Sequence, residues 1–181
     1  MTSCKTKAAP VFDKHWHLAQ SEQEINFTEL EFAIIRISGA FERWQKDCLA
    51  YCHNGGLSGF DNAALHIIRM HDRAKSVSEV ARLMNRDDIS NLQYSLRKLI
   101  KAGLITRAGA GNSKRSATYE VTVEGAQVSD LFAQFRRELL LSLTESIKNL
   151  DADILTASKV LNITSGLYDH ASTVAASHRR S

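Results

Sequence analysis

At 181 residues, 44% of them hydrophobic and 24% charged, the chain has the composition of a folded protein with a sizeable core, which excludes disorder for most of its length. Its formal net charge is only +3, so any polyanion-binding surface must come from uneven placement of charge. No run approaches the roughly 20 apolar residues that cross a bilayer, and the N-terminus lacks the apolar stretch of a secretion signal, so a cytoplasmic protein with no membrane partner is expected.

Residues 1–27 are polar and mixed, with His15-Trp16-His17 their one distinctive cluster, and read as an N-terminal arm. Thr28 followed by Glu31 has the spacing of a capping box. Leu30, Ile34, Ile37, Phe41, Trp44 and Cys48 then recur every three or four residues, which predicts a long amphipathic first helix ending near His53. Asn54-Gly55-Gly56 stops it, and Ser58 with Asp61 caps a second helix through Phe60, Ala64, Ile67, Ile68 and His71. With a single proline, Pro10, and nine glycines, long helices can run between few breaks.

Ser76 with Glu79 repeats the capping signature and opens a short third helix that turns Val77, Val80, Ala81 and Met84 inward. Asn85-Arg86 breaks it, and Asp87 or Asp88 caps a fourth helix. There Ile89, Leu92, Leu96 and Leu99 share one face, while Ser90, Asn91, Gln93, Tyr94, Arg97 and Lys101 share the other. That polar face suits a DNA groove, because Asn and Gln can bond adenine bidentately and Arg can bond guanine.

Gly103 suits a left-handed helix terminator. Leu104–Arg107 and 117–123 follow as two strands, the second with Ala117, Tyr119, Val121 and Val123 alternating against Thr118, Glu120 and Thr122. Between them Gly109, Gly111, Asn112, Lys114 and Arg115 make a flexible basic hairpin, a wing able to touch phosphates or enter the minor groove. Thr122 then caps a fifth helix striped by Val128, Phe132, Phe135, Leu139 and Leu143 to about Leu150, and a last helix from Asp151 to about Tyr168 carries Ile154, Leu161 and Tyr168. A winged-helix module can complete its own core, so these extra apolar stripes predict a second copy of the chain as partner. The competing expectation is packing of the first, fifth and sixth helices within one chain.

Charge follows the same division. Between Arg73 and Ser116 ten basic residues stand against three acids, a local net of +7, so the remainder of the chain is net acidic. Concentrated positive charge is what a phosphate-binding surface requires, although a solvated basic face with no partner gives the same count.

Other constellations carry less. Cys48 and Cys52 lie four apart on the first helix beside His53, a spacing open to zinc or redox chemistry, but a pair of small core residues is favoured. His66 and His71, five apart, fall on different helix faces and suit no shared metal. Phe41, Trp44, Phe60 and Ile67 could line an effector pocket, though aromatics at helical spacing usually belong to a core. Nothing resembles a nucleophile motif or a phosphate-cradling glycine loop, so no enzyme and no cofactor are expected.

Glu79-Val80-Ala81-Arg82-Leu83, the fourth helix with Leu96, Leu99 and Gly103-Leu104-Ile105, the basic wing and Val121-Thr122-Val123-Glu124-Gly125 together resemble the MarR family of bacterial winged-helix regulators. The flanking helices extend the resemblance over about residues 28–168. It implies a mostly α fold with a small β-wing: a winged helix-turn-helix domain at 58–122, a helical dimerisation region at 28–57 and 123–168, and a tail at 169–181. It further implies a homodimeric, sequence-specific transcription factor, often a repressor, that binds palindromic double-stranded DNA and releases it when a small, commonly aromatic effector binds.

Ser90, Asn91, Gln93, Tyr94 and Arg97 are then the expected helix contacts to DNA, with Lys114 and Arg115 from the wing. One departure stands out. The family wing usually carries Asp-x-Arg or Asp-Arg-Arg, where this chain has Ser113-Lys114-Arg115, so the carboxylate that orients the wing arginine is missing. The acidic Asp87-Asp88 pair motivates the alternative, a winged-helix module that binds protein instead of DNA.

Overall fold

The computed structural model describes residues 17–108 and 117–178. The chain divides into two compact units, one through Phe132 and one from Ala133 onward.

The first unit begins with α1, Glu22–Cys52, which starts more than a turn earlier than its expected cap. Ser21 Oγ accepts from Glu24 N at 3.3 Å, and the Glu24 carboxylate accepts from Gln20 N at 2.6 Å. Thr28 instead sits inside the helix and donates to Glu24 O at 2.8 Å. Two capping signatures compete here, and the upstream one prevails because each added residue of an existing helix gains a hydrogen bond without a new nucleation cost.

Helix α2, Gly59–Arg69, opens on the expected Ser58–Asp61 capping box. Its first residue explains the tight crossing with α1, since a Cβ on Gly59 would lie 2.8 Å from Glu42 O. Beside it Asn62 Nδ2 donates to Gln45 Oε1 at 3.1 Å, a buried polar tie between the two helices. After α2 a 3-10 turn, Met70–Asp72, holds His71 and Asp72 at φ 67° and 46°. The buried Lys75 ammonium stabilises this reversal by donating to the carbonyls of Ile68 at 2.9 Å, Arg73 at 3.1 Å and Met70.

Strand β1, Lys75–Ser76, runs into α3, Val77–Leu83; Asn85 (φ 49°) turns the chain into α4, Ile89–Lys101. Strands β2, Ile105–Ala108, and β3, Thr118–Val121, form the hairpin. All pairing is antiparallel in the order β1-β3-β2, with Lys75 opposite Tyr119, Ile105 opposite Val121 and Arg107 opposite Tyr119. Two residues are too few to show a period, so β1 left no trace in the hydrophobic pattern. The core gathers Leu49, Leu65, Ile68, Val80, Leu92, Leu96, Leu99, Leu104, Ile105 and Tyr119 from every one of these elements except β1.

Val123, expected as the last inward strand position, instead begins α5, Val123–Phe135, and is 78% exposed. The Thr-x-x-Gly junction is where the hairpin becomes this helix. Thr122 N donates to Leu104 O at 3.0 Å, Thr122 Oγ1 donates to Gly103 O at 2.6 Å, and Gly125 N donates to Thr122 Oγ1 at 3.0 Å. A Cβ on Gly125 would fall 1.9 Å from Leu104 O, so only glycine fits. Gly103, at φ 73°, terminates α4 as expected.

Helix α5 does not continue regularly to Leu150. It passes into a π-helical segment, Arg136–Leu141, and a short α6, Ser142–Thr144; α7, Leu150–His178, then runs ten residues past its expected end. Of the described residues from Ala133 onward only Thr164 is buried, while Leu155, Ile163 and Leu167 lie open. No helix of the described residues is long and apolar enough to cross a membrane.

Candidate nucleic-acid interface

Helices α3 and α4 form a helix-turn-helix. The turn is tight because Arg86 N reaches back to Ala81 O at 2.9 Å while Asn85 takes a left-handed conformation. Of the two candidate caps Asp88 is used: its Oδ1 accepts from Asn91 N at 3.0 Å. That carboxylate therefore neutralises a helix N-terminus, which weakens the repulsion it would offer to phosphate.

Helix α4 separates its faces, except that Ile89, expected on the apolar face, is exposed at the first turn. Leu92, Ser95, Leu96 and Leu99 are buried, whereas Ser90, Asn91, Gln93, Tyr94, Arg97 and Lys101 are exposed. The five residues expected to read DNA from this helix thus share one solvent-facing surface. Tyr94 carries the Arg97 guanidinium 5.9 Å from its ring centroid and the Lys98 ammonium at the same distance. The wing tip, with Lys114 and Arg115, lies outside the described residues. Arg107 on β2 is exposed at the base of that hairpin, a cation that single-residue motifs did not single out.

The basic segment is less free than its residue count implied. Lys75 is buried on three carbonyls, and its pKa is lowered chiefly by desolvation. Arg73 makes a two-pronged ion pair with Glu79, one prong 3.0 Å from NH1 to Oε2. Lys98 donates to Asp61, whose side chain is only 2% exposed. Burial pushes the Asp61 carboxyl upward, but the Lys98 ammonium and the Ser58 N–H and hydroxyl outweigh it and hold the group below its ordinary value. Arg82, Arg86, Arg97, Lys101 and Arg107 remain exposed. Sequence counting missed the Lys98–Asp61 link because its partners lie 37 positions apart.

The remaining candidates fall elsewhere. Phe60 and Ile67 pack against the core, with the Arg86 guanidinium 5.7 Å from the Phe60 centroid. Trp44 meets Phe132 edge-on at 6.4 Å, and Phe41 is 57% exposed, so the four aromatic and apolar residues do not converge. His66 lies 4.7 Å from the Phe132 ring, with burial and then the nearby Arg69 charge lowering its pKa; His71 is exposed at the turn. Burial raises the Cys48 pKa, and burial plus the Cys48 neighbour raises Cys52 to about 11.

Against this geometry, residues 57–125 match the winged helix DNA-binding domain. The match spans α2 to the start of α5, including the helix-turn-helix and the hairpin. This segment has the winged helix fold. Among curated protein sequences no relative matches.

Solved structures extend the likeness beyond the winged helix domain. The transcriptional regulator BldR from Sulfolobus solfataricus is 18% identical with a TM-score of 0.62, covering 79% of this chain and 99% of its own. A MarR family transcriptional regulator from Rhodococcus sp. RHA1 is 18% identical with a TM-score of 0.62, at 81% and 98% coverage. A mutant MarR from E. coli complexed with operator DNA is 19% identical with a TM-score of 0.61, at 80% and 99% coverage. The winged helix domain of this chain is therefore set in a MarR-like fold.

Proposed function

We propose that the chain is a MarR-type transcriptional regulator that binds double-stranded DNA sequence-specifically as a homodimer and acts as a repressor. Helix α4 enters the major groove with Ser90, Asn91, Gln93, Tyr94 and Arg97 toward bases and phosphates, and the wing lays Lys114 and Arg115 along the backbone. The observation that carries this reading is the α4 surface itself, a continuous row of groups able to read base edges on the exposed face of the second helix of a helix-turn-helix.

Segments 28–57 and 123–168 form the dimerisation region, 58–122 the DNA-binding domain. Exposed Ile35, Ile37 and Phe41 on α1, and Leu155, Ile163 and Leu167 on α7, support a second copy as the covering partner. Two-fold pairing would match a palindromic operator, and release by a small aromatic effector completes the proposed cycle.

The test is an electrophoretic mobility shift with duplexes from around the chain's own gene at physiological salt, alongside sedimentation of the free protein. Retarded bands that survive excess unrelated DNA, and a dimer in sedimentation, are expected. Equal competition by unrelated DNA sinks the sequence-specific reading and favours a protein-binding module.

A further inference from the structure

Asp61 is an unusually well-defined anchor. Its Oδ2 accepts from Ser58 N at 2.7 Å and Ser58 Oγ at 2.9 Å, so the first turn of α2 fixes the carboxylate before any partner arrives. That turn is itself locked to α1 through Gly59 against Glu42 O and through Asn62 on Gln45. Lys98, in the last third of α4, donates to the same oxygen. A lysine on a DNA-facing helix ordinarily offers its charge to phosphate, but this one turns inward.

Lys98 also lies one turn beyond Tyr94, with its ammonium 5.9 Å from the ring centroid and Arg97 at the same distance. Tyr94 is 58% exposed, so its ring is held by cations on its own helix and not by burial. Asp61, Lys98, Tyr94 and Arg97 thus form a chain of contacts from the locked α1–α2 corner to two of the residues assigned to DNA reading.

Resting on the DNA-binding function proposed above, we propose that Lys98 and Asp61 are a positioning pair, setting the tilt of α4 and the placement of Tyr94, and thereby selectivity more than overall affinity. The reason is leverage. From Lys98 to Ser90 the helix runs about 12 Å, so a tilt of about 10° about the pair displaces the N-terminal reading residues by about 2 Å. Hydrogen bonds to base edges fail over that distance, because good geometry spans only about 0.5 Å. Attraction to phosphate persists, since charge interactions decay over about 10 Å at ordinary salt.

The pair is tested with the full chain carrying Asp61→Asn and Lys98→Met together, which removes both charges and keeps an acceptor for the Ser58 N–H. Wild-type protein first selects duplexes from a random pool. Affinities for selected and unselected duplexes are then compared over a salt series, with thermal melting to establish folding. The double variant should lose at least about tenfold in the ratio of selected to unselected affinity, the scale of one misread base pair. Its unselected affinity and salt slope should stay near wild type, and Lys98→Arg should keep the ratio.

Asp61→Asn alone, expected to show the same selective loss, serves if the double variant melts without cooperativity. An unchanged ratio in a folded variant overturns the proposal. A parallel fall of both affinities with a shallower salt slope also overturns it, by making Lys98 a phosphate contact. Failure of wild-type protein to enrich any sequence removes the DNA-reading function itself and the pair's role with it, a result distinct from enrichment with an indifferent variant.

Discussion

Replacing Gly125 by alanine sets two effects of opposite sign against each other. Glycine near the start of a helix costs about 1 kcal/mol relative to alanine in intrinsic propensity, so propensity alone predicts stabilisation. The surroundings predict the reverse. The new Cβ would stand 1.9 Å from Leu104 O and 2.8 Å from both Leu104 C and Val121 Cγ2. Relief requires a backbone shift of more than about 1 Å at the β3–α5 junction, enough to break hydrogen bonds whose good geometry spans about 0.5 Å.

Three bonds converge there: Thr122 N to Leu104 O, Thr122 Oγ1 to Gly103 O, and Gly125 N to Thr122 Oγ1. At about 1 kcal/mol each, together with packing strain of about 1–3 kcal/mol, the loss exceeds the propensity gain by about 3–5 kcal/mol. For a chain of this size that lowers Tm by roughly 6–20 °C. Circular dichroism melting of Gly125→Ala beside Gly39→Ala, whose Cβ would meet only the far end of Arg43 at 3.4 Å, measures the difference. Gly39→Ala should match or slightly exceed wild type. A Gly125→Ala protein melting at or above wild type would refute the steric account of the junction.

Asn91→Ala or Gln93→Ala should relax base preference at one position, by about 1–3 kcal/mol, while Arg115→Ala should weaken all sequences alike and reduce the salt slope by about one; binding-site selection with salt titration separates the two patterns. His66 is held below its ordinary 6.5 chiefly by burial, so as pH falls through 6.5 the unfolded chain takes up a proton that the folded chain resists, and stability declines over that window. Urea midpoints at pH 7.5 and 5.5 should converge for His66→Gln, and an undiminished pH difference in that variant would exclude His66 as its source. With Cys52 raised to about 11, thiolate at neutral pH is of order one part in ten thousand, so in a Cys4→Ser background iodoacetamide should label the native chain far more slowly than the urea-unfolded chain. Equal rates would show that Cys48 and Cys52 are open to reagent.

Much of the local structure was legible because it is written in local chemistry. The Ser58–Asp61 box, an aspartate cap at the head of α4, Gly103 in its left-handed conformation and the polar face of α4 each depend on residues within a turn or two of one another. Where reading faltered, either two local signals competed or none existed. Ser21 prevailed over Thr28 as the start of α1, β1 is too short to have a period, and the helix after the hairpin breaks at a π segment that no glycine or proline announces.

The sequence by itself determined that a helix-turn-helix with a basic hairpin lies between Ser76 and Thr122 and which face of α4 carries its polar groups, since helical period and capping need only neighbouring residues. Tertiary structure alone decided how that positive charge is used. Lys75, Arg73 and Lys98 look equivalent in a count, yet one is buried on carbonyls, one is paired with Glu79, and one reaches Asp61 across 37 positions. The same holds for Gly125, whose necessity lies in the carbonyl of Leu104, a group that only the folded chain brings within 2 Å of its missing Cβ.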